Sequence, residues 1–208
     1  NQPNTECYLS NFELFEKSLN GESKSNLHAI RKQAIAKFTE LGFPTTKNEE
    51  WRFTNVAPIA RTQFSSSLEY ANEGLTANDI EKFTFGGLKC TRLVFVNGHF
   101  ADDFSWIQAQ QNGVKITNLA SAIKKDADVV NQHLAQYVKH DENGFTALST
   151  AFIQDGAFIH IADNIAVEDP IHLLFISTSK KKSLAAHPRN LIIAGKSSKV
   201  SIVESYVS

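Results

Sequence analysis

Apolar positions recur at helical spacing through the first sixty residues, and the period shortens to that of strands near the end of the chain. Phe12, Phe15 and Leu19 fall on one face of a first helix. Ser10 and Glu13 have capping-box spacing, and Leu9 and Leu14 that of a hydrophobic staple, so this helix is expected to start at Ser10 and stop at Asn20-Gly21. Leu27, Ile30, Ala34, Phe38 and Leu41 form the stripe of a second helix, with Arg31, Lys32, Lys37 and Glu40 off it. Gly42 can take the left-handed stop position, and Pro44 prevents the helix from resuming. Thr46 and Glu49 repeat the capping-box spacing, which predicts a third helix with Glu49 and Glu50 in its first turn, where the helix dipole favours negative charge. Trp51 and Phe53 then flank Arg52 as two packing anchors, and Trp51 is expected to bury most of its ring.

Residues 61–75 are serine-rich and aperiodic and read as a linker. Thr76 can cap a short helix running through Lys82. Residues 88–96 read as a strand ended by Asn97-Gly98, the strongest two-residue hairpin signal. Residues 113–117 predict a short strand, and Val129, Val130, Leu134, Tyr137 and Val138 a helix of about three turns. Phe145, Leu148 and Phe152 keep helical spacing up to Asp155-Gly156. Four β-branched, apolar runs follow, at 157–161, 171–178, 191–194 and 199–206. No helical pattern separates them, which excludes ordinary βαβ crossovers and leaves a sandwich or a β-helix. The fold class is therefore α+β: a helical region over 1–60, a linker over 61–75, a mixed α/β segment over 76–155 and a strand stack over 156–208.

The bulk numbers remove several functions. A formal net charge of −1 argues against phosphate-driven nucleic-acid binding. The one dense basic run, Lys180-Lys181-Lys182, lies among serines and reads as a solvated loop. No apolar run approaches membrane-spanning length and no signal peptide opens the chain, which argues against a membrane permease, and the two distant cysteines lead us to expect a reduced, cytoplasmic protein. Cys7 and Cys90 lack any CxxC or Cys/His ligand spacing, which fits a reducing compartment.

Candidate chemistry is sparse. His160 and His172 could face each other across stacked strands, but two histidines without a third ligand make a weak metal site, and a hydrogen-bonded or solvent-facing pair is the better reading. His99 is expected to be exposed. Asp102 with Asp103, and Asp141 with Glu142, read as solvated turns. Gly86-Gly87 precedes a strand, and neither a phosphate-binding loop nor a nucleophile elbow is present. Cys90, between Lys89 and Thr91, reads as a half-buried structural thiol. No residue is assigned to catalysis, cofactor binding or metal ligation.

One string carries more. Residues 43–54, with Phe43-Pro44-Thr45 running into Glu49-Glu50-Trp51-Arg52-Phe53-Thr54, resemble an N-terminal signature of the SufB/SufD family of the SUF iron–sulfur cluster assembly complex, on its SufD side. Residues 151–161 (AFIQDGAFIHI), 167–177 and 187–193 match the same family in the same order. The resemblance implies that residues 156–208 are the first turns of a right-handed parallel β-helix and that the chain is the N-terminal half of a longer protein. It implies a non-catalytic scaffold subunit pairing with SufB-like and SufC-like subunits, or a homodimer, with no nucleic-acid or membrane partner. The iron–sulfur cluster and ATP would be handled by the wider complex, with no cofactor bound by this chain. In that family the residues at the SufB interface and the SufC-binding helices lie beyond the positions present here, so none is carried over. The alternatives are a β-helix carbohydrate-active enzyme, for which Asp163, Glu168, Asp169 and Glu204 are too dispersed, and a SufB-type cluster-binding subunit, which the Phe43-Pro44-Thr45…Glu49-Glu50-Trp51 block and the lack of cysteines in the strand runs from 157 onward disfavour.

Overall fold

The computed structural model describes residues 5–19, 25–72, 74–178 and 183–208. Its helices are α1 (Thr5–Ser18), α2 (Asn26–Leu41), α3 (Ala57–Arg61), α4 (Ala77–Glu81), α5 (Leu119–Lys125), α6 (Ala127–His133) and α7 (Gly144–Ala151). Its strands are β1 (Ser65–Ser66), β2 (Thr91–Val96), β3 (His99–Phe100), β4 (Val114–Asn118), β5 (Ala157–Ile161), β6 (Ile171–Ile176), β7 (Leu184–Ala185), β8 (Leu191–Ala194) and β9 (Ile202–Val207). The class is mixed α+β, in two compact units. The expected helix stop at Asn20-Gly21 and the loop at Lys180-Lys181-Lys182 lie outside the described residues.

The first unit comprises residues 1–68, 131–153 and 181–187. Its core is aromatic: Tyr8, Phe12, Phe15, Phe38, Phe43 and Phe152 are all buried. Phe38 meets Tyr8 and Phe43 edge-on, at 5.5 and 5.2 Å between centroids. α1 starts five residues earlier than its capping signal, because Tyr8 extends the Phe12/Phe15 stripe by one turn and is itself buried. Ser10 is thus inside the helix, and Leu14 is 53% exposed, so the expected staple does not form. α2 is capped by the Ser25 hydroxyl, which accepts from the His28 N–H. Its buried face is rotated from the expected stripe to Leu27, Arg31, Ala34, Ile35 and Phe38. Arg31 belongs there because its Nε donates to the Ile153 carbonyl at 2.8 Å, beyond the end of α7, and its guanidinium covers the Phe15 ring. Within the serine-rich stretch read as a linker, β1 pairs in parallel with β7. The expected three-turn helix is shorter: α6 ends at His133, and Ala135 at φ 60° breaks it, leaving Tyr137 and Val138 exposed.

His187 in this unit stacks on Phe152 at 4.8 Å. Its Nε2 is shielded from solvent, and burial holds its pKa down to about 4, against the usual 6.5. Between those values the unfolded chain binds a proton that the folded chain refuses, so stability rises with pH across the window and is lost as pH falls from about 6.5 towards 4. The full effect is up to about 3 kcal/mol. Urea midpoints at pH 7 and pH 5 should show the loss, and His187→Phe should flatten it. An unchanged pH 7-to-5 difference in that variant would refute the assignment.

The second unit comprises residues 69–130, 154–180 and 188–208. One sheet has the order β3-β2-β6-β9, with β2, β6 and β9 parallel; the other is β4-β5-β8, with β5 and β8 parallel. Apart from β7, which pairs with β1, the strands from β5 on alternate between these two sheets: β5 joins the second sheet, β6 the first, β8 the second and β9 the first. The ladders Phe158↔Leu191 and Ile171↔Ile202, with the bridge Ala166↔Lys199, stack each pass on the one before. Leu93, Phe95, Ile159, Ile161, Leu173 and Phe175 form the core. The opposite side of β2 and β6 is also covered, by Ile80 of α4 among others, which is why β6 is buried along its whole length. α4 carries the full Thr76/Asp79 capping box, and Asn97 and Gly98 take the positive φ values of the predicted β2–β3 turn. β2 begins only at Thr91, with Leu88 half-exposed. α5 was not legible as a helix, since Leu119 and Ala122 are its only buried positions.

Candidate interaction site

The signature string folds as a compact corner at the end of α2. Gly42, at φ 63°, donates its N–H to the Phe38 carbonyl at 2.7 Å and stops the helix. Phe43 then turns into the aromatic core, 5.3 Å from the Phe145 ring. Here the structure corrects the expected capping. Asn48, not Thr46, precedes the new turn: its Oδ1 accepts from the Thr45 N–H at 2.8 Å and from the Thr45 hydroxyl at 3.2 Å. The expected helix is one 3₁₀ turn, Glu49–Trp51, which has no side-chain cap because the Asn48 oxygen is turned back onto Thr45. Trp51 is only half-buried, its ring 5.3 Å from Phe145. Phe53 is no anchor at all: it is 94% exposed, with the Arg52 guanidinium over its ring at 5.6 Å. Pro44 is half-buried, and Thr45, Glu49, Glu50 and Thr54 are exposed.

This corner forms one wall of a cleft of about 450 Å³, lined by residues 41–45, 48–51 and 142–144. The second wall is the start of α7. Asn143 caps it, accepting from the Phe145 N–H at 2.8 Å, and Glu142 is ion-paired with Lys139 at 3.0 Å. Gly144 locks the two walls together: a Cβ there would lie 1.9 Å from the Gly42 carbonyl oxygen. Only glycine allows that approach.

The remaining candidates do not converge. His172 on β6 is buried, its Nε2 2.9 Å from the Ser205 hydroxyl and its ring 4.7 Å from Phe85. Burial, and then the nearby Arg92 charge, hold its pKa below the usual histidine range. His160 lies in the other sheet, paired with Lys115 and Ile193, so the two histidines do not face each other. His99, expected at the surface, is 8% exposed because the β2–β3 pairing folds it inward. Asp103 accepts from the Tyr70 hydroxyl, and Asp102 is exposed beside it. Cys7 and Cys90 are both half-buried free thiols, and Cys7 donates to the Phe64 carbonyl. Gly86, at φ 61°, and Gly87 sit in open space in a turn. Asp163, Asp169 and Glu204 are engaged separately, with the Lys196 N–H, Lys89 and the Tyr206 hydroxyl. Among the described residues, no group of three or more His, Cys, Asp or Glu side chains could hold a metal ion, and no helix is long and apolar enough to cross a membrane.

Asp155 is the polar cluster that sequence reasoning missed. It is 6% exposed and accepts from the N–H groups of Phe100, Ala120 and Gly156 and from the Asn118 amide. Its donors stand up to 55 positions away, so no local spacing announces them.

Comparison with known proteins fits the signature. A family profile described as the SufBD protein N-terminal region matches residues 2–173. An iron–sulfur cluster assembly SufBD family protein of Synechocystis is 27% identical over 208 residues, covering 89% of this chain and 44% of that protein. The iron–sulfur cluster assembly protein SufD of Bacillus subtilis is 29% identical over 189 residues, covering 88% of this chain and 41% of that one. SufB of the same organism is 28% identical over 95 residues, covering 46% of this chain. The chain spans less than half the length of these curated relatives.

Proposed function

The chain belongs to the SufBD family, and on that premise we propose that it is the N-terminal part of a SufD-type scaffold subunit for iron–sulfur cluster assembly, working with SufB-like and SufC-like subunits in the cytoplasm. The profile match over residues 2–173 carries this reading, because it takes in the signature corner and the first strands together. The broader coverage by the SufD of B. subtilis than by its SufB favours the SufD side. The alternation of β5, β6, β8 and β9 between two sheets, in parallel ladders, supports the start of a β-helix. The role is structural: a rigid stack presents a long face to a sister subunit, and ATP hydrolysis and cluster chemistry take place on the other chains.

Cluster iron favours several thiolates in one place, and the two cysteines here lie one in α1 and one just before β2. Anaerobic reconstitution of this chain with iron and sulfide, followed by desalting, should therefore leave no charge-transfer absorbance on the protein. A stoichiometric retained cluster would overturn the assignment in favour of a SufB-type role. Co-expressed with SufB-like and SufC-like subunits, the protein that carries this region should retain both through gel filtration; elution without them would refute the scaffold reading.

A further inference from the structure

We propose that the cleft between the signature corner and the start of α7 is a docking site for a lysine- or arginine-bearing segment of a partner protein. The fold itself leaves the corner's acids unused. Every bond that shapes the turn runs through backbone groups, Thr45 or Asn48, and among the described residues the side chains of Glu49 and Glu50 take part in no hydrogen bond or ion pair. Glu142 adds a third carboxylate to the lining, and the lining holds no basic residue. Of the basic neighbours, Arg52 lies over Phe53, Lys139 offsets Glu142 alone, and Lys47 is exposed outside the lining, so the charge left for a partner is that of Glu49 and Glu50.

The shape matches this charge. A cleft of about 450 Å³ accommodates one or two long side chains. The half-buried Trp51 is the aromatic part of its lining against which the aliphatic stem of a lysine or arginine can pack while its charged end reaches the carboxylates. The walls are held before binding by the Gly42–Gly144 approach and the Asn48 and Asn143 turns, so little ordering remains to oppose association. A neutral apolar peptide would leave the acidic rim uncompensated, and an acidic one would be repelled by it.

The two tryptophans make the test direct. Trp106 is 67% exposed, so Trp106→Phe should leave the fold intact and Trp51 as the sole indole reporter. Titration with N-acetyl-Leu-Arg-Leu amide and N-acetyl-Leu-Lys-Leu amide should give a saturable change in Trp51 emission, and the Leu-Glu-Leu analogue none. The double substitution Glu49→Gln/Glu50→Gln should weaken binding of the basic peptides by about ten-fold, taking each lost rim charge at the usual worth of an exposed pair. Raising the salt to about 0.5 M should weaken it in the same direction. Both glutamates are exposed, so thermal melts of the double variant should match the parent. Absence of saturation with either basic peptide, equal binding of the acidic analogue, or indifference to the double substitution would each overturn the proposal.

Discussion

Asp155→Ala should be among the most damaging single changes in this chain, costing roughly 3–5 kcal/mol or abolishing folding of the second unit outright. The carboxylate accepts four hydrogen bonds between 2.9 and 3.1 Å, with Oδ2 on the Phe100 N–H and Oδ1 on the Ala120 and Gly156 N–H groups and the Asn118 amide. These donors come from β3, from the β4–α5 junction and from the entry to β5. One side chain therefore holds three segments that are distant in sequence. It also caps α5 from outside: Asn118 makes no capping bond of its own and gives its amide to Asp155 instead. A negative group at that helix start gains from the dipole as well. Alanine would leave four donors facing a site that is 6% exposed, with each charge-assisted bond worth about 1.5–3 kcal/mol before water recovers part of it. Asp155→Asn should fall between, since an amide can accept on one oxygen but turns two protons towards donors. Urea denaturation of the three proteins checks the order. A midpoint for Asp155→Ala within error of the parent would show that water replaces the carboxylate freely.

What the sequence made legible follows the range of the interaction. The runs at 157–161 and 191–194 coincide with β5 and β8, and the Asn97-Gly98 turn and Thr76 cap form as expected, because each depends on neighbours a few positions away. Capping signals failed where another contact outbid them, a tertiary one for Ser10 and an equally local one for Thr46. Ser10 lost the start of α1 to the burial of Tyr8, and Thr46 lost its turn to Asn48. Arg31 read as a surface residue because nothing near it in sequence reveals the carbonyl of Ile153, 122 positions on. Phe53 read as an anchor because an exposed phenylalanine beside a tryptophan breaks the usual pattern.

The family blocks were legible as strings before they were legible as geometry. The block at 151–161 holds Asp155 and Gly156, and the block at 187–193 holds Arg189 and Asn190. In the fold these interlock. Gly156, at φ 150°, leaves room for the Arg189 carbonyl, which a Cβ would meet at 2.1 Å. The Arg189 N–H donates to the Asp155 carbonyl, and Asn190 accepts from the Ala157 N–H, setting the register in which β5 and β8 pair. Two motifs separated by some thirty positions are one structural device, and only the fold joins them. The candidate cleft was half-visible in the same way: the signature corner was singled out, but the wall at 142–144 carried no signal beyond an acidic turn.

The 208-residue chain should self-associate in a concentration-dependent manner, and the cause should lie at β9. That strand closes the first sheet on one side, pairing with β6 through six residues, while its other edge has no strand partner among the described residues. It is six residues long, contains no proline or lysine, and presents Val203 at 38% and Tyr206 at 64% exposure. Its one charge, Glu204, is already engaged by the Tyr206 hydroxyl at 2.8 Å and the Asn190 amide at 3.2 Å, so it does little to repel another strand. An unblunted edge of this kind is a template for pairing with a second chain. Under the β-helix reading, the next pass of a longer protein would occupy the same edge, and association would vanish in a protein that carried it. Sedimentation velocity across a hundred-fold concentration range should show the shift for the 208-residue chain, and Val203→Lys, which places a charge on the outer strand, should reduce it. A single monomeric species at every concentration would mean that β9 does not present a pairing edge, and the continuation of the stack beyond it would lose its support.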